Sequence, residues 1–181
     1  QALSLCPRSR WKEVHFYVIT DAGIASPRSL TEVAQKTISG GAQALQFRDP
    51  NLSWKDKFKT GKELRKITRD AGIPFIVNDR PDLALALEAD GLHLGQDDFP
   101  VKEARILMGQ DAIIGKSTHT LAQAIKALQE PLDYISIGPI YKTTSKPDAW
   151  DPVGLPLLSQ VRLKSNIPIT AIGGITIENL E

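Results

Sequence analysis

Residues 74–98 read PFIVNDRPDLALALEADGLHLGQDD, and this stretch decides the fold. Two short apolar runs, PFIVN (74–78) and GLHL (91–94), flank a segment that opens as a helix near Pro81. Neither run alternates apolar with polar residues. Both are apolar almost throughout, as expected of parallel strands covered on both faces. Each also runs into polar residues: Asn78, Asp79 and Arg80 after the first, Gln96, Asp97 and Asp98 after the second.

The same unit recurs on either side. Apolar, β-branched runs stand at VHFYVIT (14–20), AQALQF (42–47), AIIG (112–115), DYISIG (133–138) and PITAIGG (168–174). Helix signals lie between them. Ser29 with Glu32 forms a capping box for SLTEVAQKTIS (29–39), which Gly40-Gly41 closes. Ser53 opens a longer helix that Gly72 stops, and Pro100 stands in the first turn of PVKEARILMG (100–109). TLAQAIKALQ (120–129) and GLPLLSQVRLKS (154–165) complete the set, and TIENLE reads as the start of one more helix. Seven alternations of strand and helix predict a parallel sheet with helices outside. They fit an open doubly wound sheet or a (β/α)8 TIM barrel whose eighth βα unit is missing from this sequence. No GxGxxG follows any strand, which argues against a dinucleotide-binding open sheet.

Composition sets the outer limits. The chain has 181 residues, 41% hydrophobic and 24% charged, with 13 glycines and 12 prolines, which excludes disorder, collagen-like repeats and a coiled coil. One domain is expected at 12–181, preceded by a tail at 1–11. Twenty-two Lys and Arg against 21 Asp and Glu leave a net charge of +1, without the basic excess that nucleic acid or an anionic membrane demands. The lone Cys6 can form no internal disulfide, which fits a reducing compartment and a cytoplasmic location. No apolar run approaches the roughly 20 residues that cross a bilayer.

The chemistry gathers at the carboxyl ends of the expected strands. There stand Gln46 and Arg48; Asn78 and Asp79; His93 with Asp98; Lys116, Ser117 and His119; Thr143, Thr144, Ser145 and Lys146; and Gly173-Gly174. In a barrel all of these face one mouth, where active sites of such enzymes lie. Each has a plainer reading. Asp79 and Asp98 could cap the helices that follow, Arg48 could pair with Asp49 or Asp79, and His93 could be a buried structural histidine. Taken together, two carboxylates on adjacent strands suit a hard ion such as Mg2+. Arg48 and Lys146 call for a polyanion, and Gly173-Gly174 before a helix start at Thr176 reads as a phosphate cradle. Ser117 lacks a His–Asp relay and reads as a hydrogen-bonding residue.

With these residues in view, the chain resembles the thiamine phosphate synthase family. The likeness is carried by YVITD (17–21), QFRD (46–49), VNDRPDLALA (77–86), ADGLHLGQDD (89–98), IIGKSTH (113–119), GPIYKTTSKPDA (138–149) and AIGGI (171–175). The resemblance implies a (β/α)8 barrel and a Mg2+-dependent transferase. Such an enzyme condenses a hydroxymethylpyrimidine diphosphate with a thiazole phosphate and releases pyrophosphate. It further implies Asp79 and Asp98 as Mg2+ ligands. Gln46, Arg48, Asn78, Ser117 and Lys146 would then hold the pyrimidine diphosphate, with His93 near the pyrimidine. Thr143, Thr144, Ser145 and Gly173-Gly174 would hold the thiazole phosphate. Catalysis would fall to Arg48, Lys146 and Ser117 through a dissociative alkyl transfer, with partners limited to these small molecules and self-association left open. Two departures stand out. Where the family carries Lys two places after the Arg this chain has Pro50, so Lys55 or Lys57 would have to substitute. The chain also stops at Glu181, before an eighth strand, so the natural protein is expected to continue. The alternatives are a thiazole tautomerase-like relative, which needs neither diphosphate nor metal, and a non-catalytic phosphate-binding barrel.

Overall fold

A computed structural model describes residues 7–145 and 150–180. Seven parallel strands form one sheet in the order β1 to β7: Tyr17–Thr20, Ala44–Phe47, Phe75–Asn78, Gly91–Leu94, Ile113–Thr118, Tyr134–Ile137 and Ile169–Ala171. A strictly sequential order has no reversal point, so the doubly wound alternative is excluded. The helices are α1 (Pro7–Arg10), α2 (Ala22–Ala25), α3 (Leu30–Ser39), α4 (Trp54–Ala71), α5 (Pro81–Ala86), α6 (Val101–Met108), α7 (Leu121–Ala127) and α8 (Gly154–Arg162). Among the described residues no helix is long and apolar enough to cross a membrane.

Local signals account for several helix starts. The hydroxyls of Ser29, Ser53 and Thr120 accept from the backbone N–H three residues on, at 3.1, 3.2 and 3.1 Å. Glu32 completes the opening turn of α3 by pairing with Lys36 at 2.8 Å. Gly72 ends α4 in the left-handed conformation, φ 68°. Pro100 is the residue that precedes α6 and not part of its first turn, and it offers no side-chain cap. The helix expected from Thr176 does not form within the described residues. Asn179 Oδ1 accepts from Thr176 N at 2.7 Å instead, closing a turn.

Parity along the strands sorts two cores. Leu45, Phe75, Val77, Leu92, Leu94 and Ile114 face outward against α3 to α6, while Ile135 and Ile137 face α7 and α8. The alternate residues point inward. Ala44, Ile76, Ile113 and Tyr134 meet there with Trp11, which is only 3% exposed although it belongs to the expected tail. Burial of an indole explains why the chain just before β1 is held against the sheet. The Tyr17 and Tyr134 hydroxyls stand 3.0 Å apart, although β1 and β6 are five strands distant. A flat sheet would separate them by about 24 Å at about 4.8 Å per strand. The sheet is therefore curled into a barrel-like wall.

Candidate active site

The inward face changes character along the strands. Its amino-end layer is apolar and aromatic, while toward the carboxyl ends it carries Gln46, Asn78, His93, Ser117, Ser136 and Thr170. Buried polar groups must find partners, and here they find one another. Gln46 Nε2 donates to the Tyr17 hydroxyl at 2.7 Å. The Tyr134 hydroxyl meets Tyr17 on one side and His93 Nδ1, at 2.8 Å, on the other. His93 Nε2 lies 2.8 Å from Ser117 Oγ. His93 is 5% exposed and stacks on Tyr134 with ring centroids 5.5 Å apart. Gly115, its neighbour on β5, makes this possible, because a Cβ there would lie 2.0 Å from the Tyr134 ring. Burial pushes both phenols well above their ordinary pKa, so both stay protonated.

Beside this interior lies a cleft of about 170 Å3 between β2 and β3, lined by Arg48, Pro50, Lys57, Asn78, Asp79 and Arg80 among others. Arg48 is held by Asp21 at 2.7 Å, not by Asp49 or Asp79. Asp21 sits at the end of β1 and also caps α2 by accepting from Gly23 and Ile24 N–H. Asp49 turns inward instead, accepting from Asn51, Leu52 and Ala22 N–H, and so shapes the loop that leads into α4. That loop sets Lys57 on the cleft, half-buried, while Lys55 is exposed. Arg80 is engaged by Asp82 at 2.6 Å, and this partner holds the Asp82 carboxyl below its usual pKa.

Neither aspartate caps a helix. Asp79 takes a left-handed backbone, φ 62°, and its N–H bonds His93 O at 2.8 Å; Arg80 is the residue that precedes α5. A non-glycine residue held there marks a locally strained site. Asp98 Oδ2 accepts from Gly95 N at 2.6 Å, folding the loop after β4. Both carboxylates are exposed at the mouth ends of adjacent strands. Among the described residues no three His, Cys, Asp or Glu side chains converge as a metal cage. A pair of hard oxygen donors nevertheless fits an ion that keeps most of its positions for water and phosphate.

After β6, Thr143 Oγ1 accepts from Ser145 N at 3.2 Å and Thr144 is exposed; Lys146 lies outside the described residues. Gly173 and Gly174 take φ 97° and 66°. A Cβ on Gly174 would meet Lys142 O at 2.5 Å, and Tyr141 N donates to Gly173 O at 2.9 Å. The two segments expected at one phosphate thus lie side by side. Lys116, grouped with the mouth residues by its place in the chain, points outward to Glu130 at 3.0 Å. Strand parity explains the error, since its neighbour Ser117 takes the inward position.

The sequence profile of the family described as thiamine monophosphate synthase matches residues 16–181. The chain belongs to that family. It is 48% identical to a thiamine-phosphate synthase of Chloroflexus aurantiacus over 90% of this chain and 75% of that protein. A thiamine-phosphate synthase of Shouchella clausii is 44% identical over 93% and 81% of the two chains. Among solved structures, a thiamine phosphate pyrophosphorylase of Pyrococcus furiosus superposes with a TM-score of 0.82 at 34% identity, over 93% of this chain and 79% of that one. An N-acetylmannosamine-6-phosphate 2-epimerase of Clostridium perfringens shares the fold alone, with a TM-score of 0.66 at 17% identity, over 92% and 81%. Within this thiamine phosphate synthase family member, Tyr17, Asp21 and Tyr134 gain their places at the site only from the tertiary structure, which also puts Lys57 rather than Lys55 on the cleft. Asp21, a charge directly after an apolar strand, was the one with a visible signal.

Proposed function

We propose that the chain joins an aminopyrimidine bearing a methylene diphosphate to a thiazole phosphate. The carbon–oxygen bond to the diphosphate breaks, pyrophosphate leaves with the electron pair, and the thiazole nitrogen forms the new bond to the methylene carbon. One observation carries this assignment: a polar interior (Gln46, His93, Ser117) adjoins a cleft that presents Arg48, Lys57 and Arg80. A flat heterocycle suits the first and a polyanion the second.

Arg48, oriented by Asp21, keeps donors for the departing pyrophosphate, and Lys146 supplies a second charge; both act by electrostatic stabilisation, with no protein nucleophile. Gln46, Asn78, His93 and Ser117 orient the pyrimidine. The Thr143–Ser145 turn, with Thr144 between, and the adjoining Gly173-Gly174 hold the thiazole phosphate near the reacting carbon. Asp79 and Asp98 would hold Mg2+, which when bound neutralises diphosphate charge. The seven strands are read as seven units of a (β/α)8 barrel.

The test combines the protein with both substrates and Mg2+ and follows the products by mass. Thiamine phosphate and pyrophosphate are expected in equal amounts. Asp79→Ala and Asp98→Ala should each lose at least about 10²-fold in rate while retaining the native circular dichroism spectrum. Conversion of a thiazole phosphate alone would favour the tautomerase alternative. A full rate from either alanine variant without added metal would remove Mg2+ from the assignment.

A further inference from the structure

We propose that Tyr17 and Tyr134 are positioning residues whose paired hydroxyls hold His93 in the tautomer protonated on Nε2, making the Ser117 hydroxyl a hydrogen-bond donor at the mouth. The identity of the ligand that receives this bond rests on the function proposed above; the tautomer does not.

Four links join Gln46 to Ser117: 2.7 Å to Tyr17, 3.0 Å on to Tyr134, 2.8 Å to His93 Nδ1, and 2.8 Å from Nε2 to Ser117 Oγ. A phenol carries one proton, and a neutral imidazole has one donor and one acceptor nitrogen. A phenol oxygen can accept twice, but with Gln46 donating only one arrangement of these links leaves neither phenol proton unpaired in the interior. The Gln46 amide nitrogen donates to Tyr17, so the Tyr17 proton goes to Tyr134 and the Tyr134 proton to Nδ1. Nε2 then carries the imidazole proton and donates it to Ser117 Oγ. The Ser117 proton is left over.

The ends of the chain follow from this direction. Gln46 keeps its carbonyl oxygen as an acceptor, for which the described residues provide no donor, and Ser117 presents a donor. A ligand that meets both ends then needs a donor toward Gln46 and an acceptor toward Ser117. A reversed chain would exchange the two ends and turn the heterocycle over. The tyrosines therefore choose the face of the ring without touching it.

The decisive measurement is a long-range proton–nitrogen NMR spectrum of the 15N-labelled, ligand-free protein. Only three histidines are present, so His93 is assigned by its loss in His93→Gln. A protonated Nε2 with an unprotonated Nδ1 is expected, and the opposite pattern overturns the proposal. Tyr134→Phe should convert His93 to a mixture of tautomers. It should also lower kcat/KM for the pyrimidine substrate by roughly 10-fold, the scale of one buried hydrogen bond left unmade, with KM for the thiazole phosphate unchanged. An unaltered His93 pattern in that variant counts against the relay. Should Tyr134→Phe fail to fold, Tyr17→Phe takes its place. It is expected to keep the His93 tautomer, because Tyr134 still donates, yet to weaken the pyrimidine substrate through Gln46; an unchanged KM for that substrate refutes the coupling. If the wild type turns over neither substrate, the functional assignment fails while the tautomer result stands.

Discussion

Lys57 stands one turn into α4, and among the described residues its ammonium has no ion-pair or hydrogen-bond partner, whereas Arg48 is held by Asp21 and Arg80 by Asp82. A half-buried cation that no carboxylate of the described residues pairs with is stabilised by an anionic ligand in the cleft. The α4 N-terminus adds to the attraction, since its unpaired N–H groups favour negative charge. Pro50 supplies neither a charge nor an N–H at the loop, and the Asp49 carboxylate already shapes that loop through three backbone bonds. We therefore propose that Lys57, and not the exposed Lys55, stands in for the lysine that the resemblance leads one to expect at position 50. Lys57→Ala should lower kcat/KM for the diphosphate substrate by about 10-fold or more, the size of one hydrogen bond to a charged group. Lys55→Ala and Pro50→Lys should change it little. Steady-state kinetics on the three variants check this, and a silent Lys57→Ala with a clear gain from Pro50→Lys would reverse the assignment.

At the scale of elements, one device ties helix to strand twice. Asp90, before β4, accepts from Phe75 N at 2.8 Å and pairs with Arg65 of α4 at 2.6 Å. Asp133, before β6, accepts from Ile114 N at 2.8 Å and pairs with Arg105 of α6 at 2.6 Å. Each carboxylate thus satisfies an N–H at the start of the preceding strand, the first residue of β3 and the second of β5, while its arginine anchors the helix outside. Arg105 is 5% exposed and also donates to the carbonyls of Ala112, Pro131 and Gly109. Removing it takes one of two arginine partners from Asp133, which Arg8 still holds, and leaves several buried carbonyls unmatched. Arg105→Ala should destabilise the fold by at least about 1–3 kcal/mol, the cost of a buried acceptor left unsatisfied. These contacts lie at the amino ends of the strands, so kcat should be unchanged wherever the variant remains folded. Urea unfolding together with kinetics below the transition tests both halves of the statement.

The curled sheet as a whole encloses two protonated phenols, and this links global stability to alkaline pH. Tyr17 and Tyr134 are held by burial above the ordinary phenol value of 10.0, and Tyr134 is raised further by its neighbour Tyr17. An unfolded chain releases both protons near pH 10, while the folded chain keeps them. The stabilisation is therefore complete below pH 10 and declines as pH rises above it, by up to about 1.4 kcal/mol per pH unit for each tyrosine. Tyr17→Phe removes one of the two contributions, so its urea midpoint should fall less steeply than that of the wild type between pH 10 and 11. Parallel curves would show that the buried phenols do not control alkaline unfolding.

Continuous apolar runs at 74–78 and 91–94, and their repeats along the chain, determined a parallel sheet clothed in helices, because a strand buried on both faces can tolerate little polarity. Polar residues gathered at the ends of those runs likewise marked the mouth, and the glycines at 173–174 marked a close backbone approach. Strand extent was less legible. β5 continues through Thr118 because ladder bonds to β6 hold Lys116, Ser117 and Thr118 extended, whatever their polarity. Only curling of the sheet could decide which strand-end residues face inward, placing Ser117 at the mouth and sending Lys116 to Glu130. The same closure brought Tyr17 within reach of Tyr134 across five strands, and set Asp21 against Arg48 from 27 residues away. Contacts of that kind leave no local periodicity, because a chain closed through space pairs residues that its sequence keeps apart.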